Sequence, residues 1–185
     1  QEEVLAAPAA GPLPPVYPYR HGDRDAVLIS HSSGTTGMPK AATFGHRQFF
    51  AGKRPRILTL PSGPDDKMLL AFPASHSSGY SYMMLATLIG LPTLVMESQS
   101  GKAVAEAMRW WQPTVGTGFP ITFTEMLAEG LEPSAASHVT TWISTADASH
   151  EAHVRDLVRL GRHRAGGAWR SGSRYLDGLG ASEMG

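Results

Sequence analysis

The sequence predicts an α/β fold with a mainly parallel sheet flanked by helices. Short apolar runs of strand length recur along the 185 residues and alternate with segments of helical periodicity. This alternation is typical of parallel sheets, because parallel neighbours need a long crossover connection. Ligands bind such sheets at the carboxyl ends of the strands, so functional loops are expected directly after apolar runs.

The predicted elements follow a proline-rich beginning. Residues 1–25 contain five prolines and are predicted to form an extended, linker-like segment. The predicted strands are Ala26–Ile29, Ala41–Phe44, Met68–Phe72, Thr93–Met96, Thr114–Gly116, Val139–Ile143 and a last strand beginning with Arg174–Leu176. The predicted helices are His46 to about Ile57, Ser78–Ile89, Lys102–Trp111, Ile121–Glu129 and a helix ending near Leu160. Pro120 is a favoured first helical residue, and Ser149 is expected to cap the last helix.

Composition narrows the function classes. The chain has 16 basic and 16 acidic residues, so its formal net charge is zero and no nucleic-acid partner is indicated. Cysteine is absent, which excludes disulfides and fits the reducing cytoplasm, where we expect the protein to act. The longest apolar stretch, Met83 to Val95, is interrupted by Gly90 and Pro92 and is too short to span a bilayer, so no transmembrane segment is expected.

The loop from Ser32 to Ala41 carries the strongest functional signal. It reads Ser-Ser-Gly-Thr-Thr-Gly-Met-Pro-Lys-Ala and follows an apolar run. Glycine lets a backbone approach a ligand closely, hydroxyl and N–H groups can surround phosphate oxygens, and Lys40 adds a mobile positive charge. The spacing differs from the P-loop, which needs Gly, four residues, then Gly-Lys-Ser/Thr. A flexible Gly/Ser/Thr linker is the alternative interpretation.

The loop resembles the phosphate-binding signature of the adenylate-forming superfamily: acyl- and aryl-CoA synthetases, adenylation domains of nonribosomal peptide synthetases, and luciferases. The resemblance covers about residues 26–185 and implies a partial adenylation domain without its small C-terminal domain. It implies that the loop binds ATP and that Lys40 is a catalytic residue. The nucleotide-binding residues implied here are Ser32, Ser33, Gly34, Thr35, Thr36, Gly37 and Lys40.

A second segment, Pro73 to Gly79, resembles the Pro-x-x-His-x-x-Gly stretch of acyl- and aryl-CoA synthetases. The resemblance implies that His76 lies beside the acyl carboxylate and acts in catalysis. An imidazole suits that place, because it can donate a hydrogen bond to developing negative charge near neutral pH. The segment from Pro113 to Pro120 resembles the Pro-Thr stretch before a substrate-lining helix. The substrate-binding residues implied are His76, Tyr80, Gly118 and Phe119, with Met83 and Met84 as further apolar residues.

Two later segments resemble family motifs with departures. Residues 144–148 read Ser-Thr-Ala-Asp-Ala where the family usually has Ser-Gly-Gly, so both glycines are replaced. Residues 177–183 resemble the motif whose core is Tyr-Gly-x-Thr-Glu, with Leu179 in place of the tyrosine that stacks on adenine. The resemblance implies nucleotide contacts from Gly180, Ala181 and Ser182. It also implies a catalytic role for Glu183, which would bind Mg²⁺ together with Ser32, since carboxylate and hydroxyl oxygens suit that ion.

Two other patterns have structural interpretations. His150 and His153 lack the His-Glu-x-x-His spacing of a zinc site, and a polar helix N-terminus is predicted instead. The pair Trp110 and Trp111 is expected to lie partly in the core and partly at its rim.

The resemblance implies an AMP-forming acyl- or aryl-CoA synthetase that uses ATP, Mg²⁺, a carboxylic acid, and coenzyme A or a carrier-protein thiol. One alternative is an amino-acid-activating adenylation domain, in which an aspartate pairs with the substrate amine. Here that region reads Phe72-Pro73-Ala74-Ser75, so a buried ammonium would lack its counter-charge. The other alternative is a non-catalytic nucleotide-binding fragment.

Overall fold

A five-stranded parallel sheet forms the centre of the protein. The computed structural model describes residues 21–31 and 41–178, so the predicted phosphate loop and the segment around Glu183 lie outside the described residues. The strands pair in the order β4-β3-β5-β6-β9, and each pair is parallel. Their bounds are β3 Met68–Leu70, β4 Thr93–Val95, β5 Val115–Thr117, β6 Thr141–Thr145 and β9 Arg174–Gly178. The predicted fold class is confirmed.

Two described helices precede the first strand of this sheet, and the others lie between its strands along the chain. Their bounds are α1 His46–Ala51, α2 Arg54–Ile57, α3 Ser77–Ile89, α4 Gly101–Trp111, α5 Pro120–Ala128, α6 Pro133–Ala136 and α7 Glu151–Leu160. Pro120 opens α5, as the sequence predicts. No described helix combines the length and apolar character needed to cross a bilayer.

The core consists of two clusters on opposite faces of the sheet. Successive strand residues point to opposite faces, so Met68 joins one cluster and Leu69 the other. One cluster holds Leu85 of α3, and the other holds the helices α4, α5 and α7. Trp142 of β6 is completely buried in the latter and donates its indole N–H to the Leu157 carbonyl at 2.9 Å.

Trp142 explains a glycine on the neighbouring strand. A methyl group at Gly116 would lie 2.5 Å from the Trp142 ring. The two residues are direct partners across the β5–β6 pair. The large ring therefore fills the space that a side chain at residue 116 would need.

The first two strands depart from the expected arrangement. β1 Ala26–His31 and β2 Ala41–Gly45 pair antiparallel in a separate two-stranded sheet. The expectation that the phosphate loop follows a strand is confirmed, but that strand is not part of the parallel sheet. The loop connects the two strands of this hairpin.

Three local details also differ from the sequence prediction. The expected single helix from His46 is broken, because Pro55 lies in the first turn of the short helix α2 and, without an N–H, cannot continue the hydrogen-bond ladder of α1. The cap of α7 is His150 rather than Ser149, and its Nδ1 accepts the Ala152 N–H at 3.3 Å. A hairpin of β7 Arg162–Ala165 and β8 Ala168–Ser171 follows α7 and was not predicted.

Candidate functional site

The carboxyl edge of the parallel sheet gathers the described candidate residues. From β3 the chain passes to β4 on one side and then returns to β5 on the other. The point where the strand order reverses therefore lies between β3 and β5, and crevices at such points are the usual ligand sites of open α/β sheets. His76 follows β3, and Gly118 and Phe119 follow β5, so they flank this point.

Backbone bonds hold these loops together. The Ala71 N–H donates to the Thr117 carbonyl at 3.1 Å, and the Gly118 N–H donates to the Ile143 carbonyl at 3.1 Å. The first bond extends the pairing of β3 with β5 beyond the strands, and the second continues it to β6. The loops therefore leave the sheet from fixed positions.

The segment around His76 forms a tight turn into α3. The His76 N–H donates to the Pro73 carbonyl at 2.9 Å, and His76 is the N-cap of α3. A methyl group at Gly79 would lie only 1.9 Å from the Pro73 carbonyl oxygen. The Pro73 carbonyl therefore binds the His76 N–H and also packs against Gly79, so this turn requires a residue without a side chain at position 79.

The hydrogen bond at His76 fixes which ring nitrogen can donate. Its Nδ1 accepts the Ser78 N–H at 3.2 Å, so the neutral ring carries its proton on Nε2. Partial burial lowers the pKa of His76 below its usual value of 6.5, because burial disfavours the charged imidazolium. At neutral pH the ring is therefore an uncharged hydrogen-bond donor through Nε2.

An aromatic wall stands beside His76. The rings of His76 and Phe119 meet edge to face with their centres 5.0 Å apart. The Phe119 ring lies 5.1 Å from that of the buried Phe72, which in turn stacks on Tyr82 at 5.8 Å. The sequence motifs did not indicate Phe72 and Tyr82 as site residues, although Phe72 ends the apolar run that contains β3.

Tyr80 links this site to the hairpin that carries the predicted phosphate loop. Its hydroxyl donates to the Ser30 hydroxyl of β1 at 3.4 Å. Its ring centre lies 6.2 Å from that of Phe49 in α1. These contacts hold the β1–β2 hairpin against the first turn of α3, the turn that begins at His76.

The end of β6 carries the third motif. The Ser144 hydroxyl is buried, and no described residue bonds to it. The Thr145 hydroxyl donates to the Gly178 carbonyl of β9 at 2.6 Å. Ala146 adopts φ 82°, a left-handed conformation that glycine takes without steric cost, so the backbone here keeps a glycine-type shape without a glycine.

The remaining predicted residues have other positions. Met83 lines a shallow depression with Leu91 and Val95, away from His76 and Phe119. Ser32, Ser33, Gly34, Thr35, Thr36, Gly37, Lys40, Gly180, Ala181, Ser182 and Glu183 lie outside the described residues. Their roles stay predictions.

The paired histidines and tryptophans have structural partners. His153 Nδ1 bonds to the Thr124 hydroxyl at 3.1 Å, and no cluster of three metal-ligating side chains occurs in residues 21–31 and 41–178. Trp111 donates its indole N–H to the Met68 carbonyl at 3.0 Å, whereas Trp110 is 65% exposed. The predicted combination of core and rim for the tryptophans is confirmed.

Comparisons with known proteins agree with this arrangement. A family model for AMP-binding enzymes matches residues 2–171. A 3-aminoavenalumate diazotase from Streptomyces is 39% identical over 178 residues, which are 94% of this chain and 32% of the relative. A chloroplastic/peroxisomal 2-succinylbenzoate–CoA ligase from Arabidopsis thaliana is 25% identical over 170 residues, which are 92% of this chain and 25% of the relative. The chain thus spans about a quarter to a third of these relatives' length.

Solved structures share the fold at low identity. An ATP-bound RpMatB-BxBclM chimera superposes with a TM-score of 0.72 and 21% identity, over 88% of this chain and 30% of the other. The O-succinylbenzoate coenzyme A synthetase MenE from Bacillus subtilis, in complex with ATP and magnesium ion, gives 0.64 and 17%, over 74% and 28%.

Proposed function

This chain belongs to the AMP-binding enzyme family and folds as part of the large N-terminal domain of adenylate-forming enzymes, and on that premise we propose that the whole protein is an AMP-forming ligase that joins a carboxylic acid to a thiol. The observation that carries the proposal is the position of His76 and Phe119. A neutral donor and an aromatic wall flank the reversal of strand order, where an open α/β sheet binds its ligands.

The proposed reaction has two steps. A carboxylate oxygen attacks the α-phosphorus of ATP, a new P–O bond forms, and pyrophosphate leaves. A thiol, from coenzyme A or a carrier protein, then attacks the acyl carbon and displaces AMP. The chain itself needs no nucleophile, so its task is to position the reactants and stabilise charge.

Described residues support the first step. The Nε2–H of His76 can donate to the carboxylate or to the developing charge, because Nδ1 is held by the Ser78 N–H. The half-buried Phe119 offers an apolar surface for the rest of the acid, and the buried Phe72 supports its ring from behind. Aromatic rings favour stacked or edge contacts with one another, so this surface suits an aryl acid.

The nucleotide is proposed to bind through the segments outside the described residues. Ser33, Gly34, Thr35, Thr36 and Gly37 would surround the β- and γ-phosphates, with Lys40 at the phosphates or stabilising the loop. Ser32 and Glu183 would hold Mg²⁺, and Gly180, Ala181 and Ser182 would contact the nucleotide. When bound, Mg²⁺ neutralises charge on the phosphates. The hairpin contact between Ser30 and Tyr80 supports a loop position near His76.

A second candidate function has an observation in its favour. The sequence identity to the Streptomyces diazotase, 39% over 178 residues, exceeds the 25% identity to the Arabidopsis ligase over 170 residues. Diazotisation replaces the two amine hydrogens of an aryl amine with a nitrogen at the oxidation level of nitrite. A nitrite oxygen could attack the α-phosphorus as a carboxylate does, and the amine would then attack the nitrosyl nitrogen, releasing AMP and, finally, water.

Pyrophosphate–ATP exchange by the full-length protein separates the two candidates. Exchange driven by carboxylic acids supports the ligase, and exchange driven by nitrite with consumption of an aryl amine supports the diazotase. If neither oxyanion drives exchange, the proposed adenylation is wrong.

The His76 variant tests the site in the same assay. His76→Ala should lower the exchange rate roughly a hundredfold, because one donor to developing charge is lost. His138→Ala is the matched control and should exchange at the parental rate, since His138 precedes β6 at the amino edge of the sheet, opposite His76 and Phe119. Parental exchange by His76→Ala would remove this residue from the proposal.

A further inference from the structure

Lys53 is a buried lysine in the connection between α1 and α2. The residue is only 2% exposed, although lysine is rarely buried without a partner. Its own segment provides no counter-charge, because residues 46–64 contain no aspartate or glutamate. The nearby Arg54 and Arg56 add positive charge instead.

The ammonium group of Lys53 lies over an aromatic ring. The Lys53 Nζ lies 4.0 Å from the centre of the Phe49 ring. Among the described residues no carboxylate forms an ion pair with it. Burial, and to a lesser extent the positive charge of Arg56, lower the pKa of Lys53. The charged form of this amine therefore lacks a stabilising counter-charge among the described residues. An anion arriving at this group would remove that deficit.

The same contacts connect Lys53 to the candidate site. Phe49 lies against Tyr80, with 6.2 Å between ring centres. Tyr80 is one helical turn beyond His76, and its N–H donates to the His76 carbonyl at 3.2 Å. Side-chain contacts thus join Lys53 to Phe49 and Phe49 to Tyr80, and a backbone hydrogen bond joins Tyr80 to His76. Lys53 lies at one end of this row of residues, and the proposed reacting centre lies at the other.

We propose that Lys53 binds a second anionic group of the substrate, a carboxylate remote from the oxygen that is activated. This inference rests on the proposed function and names its substrate class: an acid that carries a further carboxylate beyond the reacting group. Both candidate reactions leave such a group in place. A substrate such as 2-succinylbenzoate has two carboxylates, of which one is activated, and an amino-substituted aryl acid keeps its carboxylate when the amine reacts.

The experiment compares paired acids with the full-length protein. A series of α,ω-dicarboxylates is measured against monocarboxylates of the same length, with 4-carboxycinnamate against cinnamate as the aromatic pair. Two readouts are taken: acid-dependent pyrophosphate–ATP exchange, and direct binding of each acid by calorimetry. The variants are Lys53→Met, which keeps length without charge, and Lys53→Arg, which keeps charge.

Lys67→Met is the matched control. Lys67 also stacks on an aromatic ring, with its Nζ 4.9 Å from Trp111, but it precedes β3 at the amino edge of the sheet. Its replacement should leave the ratio of diacid to monoacid unchanged. A purely structural contribution of a lysine–aromatic contact is thereby separated from recognition of the second carboxylate.

We expect Lys53→Met to lower the diacid-to-monoacid ratio of kcat/KM by roughly ten- to a hundredfold, the usual effect of a hydrogen bond to a charged group. Lys53→Arg should retain most of the preference. An unchanged ratio in Lys53→Met, or a parent that binds no diacid more tightly than its monoacid, would overturn the assignment of Lys53. If the Lys53 assignment fails in this way but monocarboxylates still drive pyrophosphate–ATP exchange, the proposed ligase function is still supported. Lys53-dependent diacid binding without any exchange would support the assignment and contradict the ligase.

Discussion

Individual residues at this site are constrained by close backbone contacts. Gly79 is the sharpest case, since it packs directly on the Pro73 carbonyl, and Ala146 has a left-handed backbone although it is not a glycine. His76 depends on the Ser78 N–H for its tautomer. Each of these constraints leads to a measurable consequence.

Replacing Gly79 should disrupt the turn into α3. Gly79→Ala would place a methyl group 1.9 Å from the Pro73 carbonyl oxygen, and neither backbone can move without distorting the His76 segment. We expect a loss of about 3 kcal/mol or more in the free energy of unfolding. Urea denaturation measures this loss, and Ser78→Ala, on the same turn, should change little. Equal stability of Gly79→Ala and the parent would contradict the observed packing.

Introducing glycine at residue 146 should stabilise the protein. A left-handed conformation costs a non-glycine residue about 1–2 kcal/mol, and the added freedom of glycine in the unfolded chain returns about 0.4–1 kcal/mol of that. Ala146→Gly should therefore gain up to about 1.6 kcal/mol in the free energy of unfolding, measured by urea denaturation. Ala148→Gly is the control and should lose stability, because its φ is not positive. A loss in both variants would show that residue 146 is unstrained.

The stability of the protein should depend on pH through His76. Its folded pKa is lowered by burial, so between that value and 6.5 the unfolded chain binds more protons than the folded one. The contribution of neutral His76 is present above pH 6.5 and is lost as the pH falls toward the lowered pKa. The stability difference between the parent and His76→Gln should therefore shift against the parent from about pH 7.5 to about pH 5.5. A difference that is independent of pH would exclude this protonation.

At the scale of elements, the β7–β8 hairpin projects from the sheet and lies outside its core clusters. The Gly172 N–H donates to the Gly161 carbonyl at 2.9 Å and closes the base of the hairpin, whereas the Arg162 N–H donates to the Val139 carbonyl at 2.9 Å and ties this base to the segment before β6. Its exposed Trp169 contacts the arginines at 162 and 164 rather than the core clusters. The candidate residues lie at the opposite edge of the sheet.

Shortening this hairpin should leave the fold intact. Arg162 pairs with Ser171, so residues 163–170 can be replaced by Asn-Gly, the pair that favours a two-residue hairpin turn. We expect the melting temperature to change by less than roughly 5 °C, because an exposed cation–π contact contributes at most about 1 kcal/mol. A melt followed by circular dichroism measures this. Loss of the cooperative transition would show that the hairpin supports the sheet.

At the scale of the whole molecule, the chain is a part of what its relatives contain. It spans 32% of the diazotase and 25% of the ligase, while its own sheet already has two buried faces. We therefore expect these residues to form a stable fold without the full catalytic activity of the longer protein. Burial of Trp142 between β6 and α7 supplies a fluorescent reporter of the folded state.

Residues 1–185 alone should fold but turn over weakly or not at all. Cooperative urea unfolding followed by tryptophan fluorescence would show the folded core. Formation of the acyl thioester, measured with the full-length protein as reference, would show the activity. Parental rates from residues 1–185 would contradict the expectation that further chain is needed to complete the site.

The sequence alone was sufficient to predict most elements and the family resemblance. Local signals are read within one segment: the apolar runs of β3 and β6, Pro120 at the start of α5, and the glycine-rich loop at 32–41. The same signals were insufficient at α7, where a histidine rather than Ser149 provides the cap, and at the β7–β8 hairpin, whose arginine-rich strands lack the apolar alternation expected of a strand.

Only the tertiary structure decided the order of the strands and the burial of Lys53. Each strand pairs with a partner chosen by packing over long sequence distances, and periodicity within a strand carries no information about that choice. The order β4-β3-β5-β6-β9 is what brings His76 and Phe119, 43 positions apart in sequence, to one point of the sheet. Lys53 lies in a segment rich in arginine that suggests an exposed surface, yet in the fold it is buried, with its ammonium group over the Phe49 ring that contacts Tyr80 of α3.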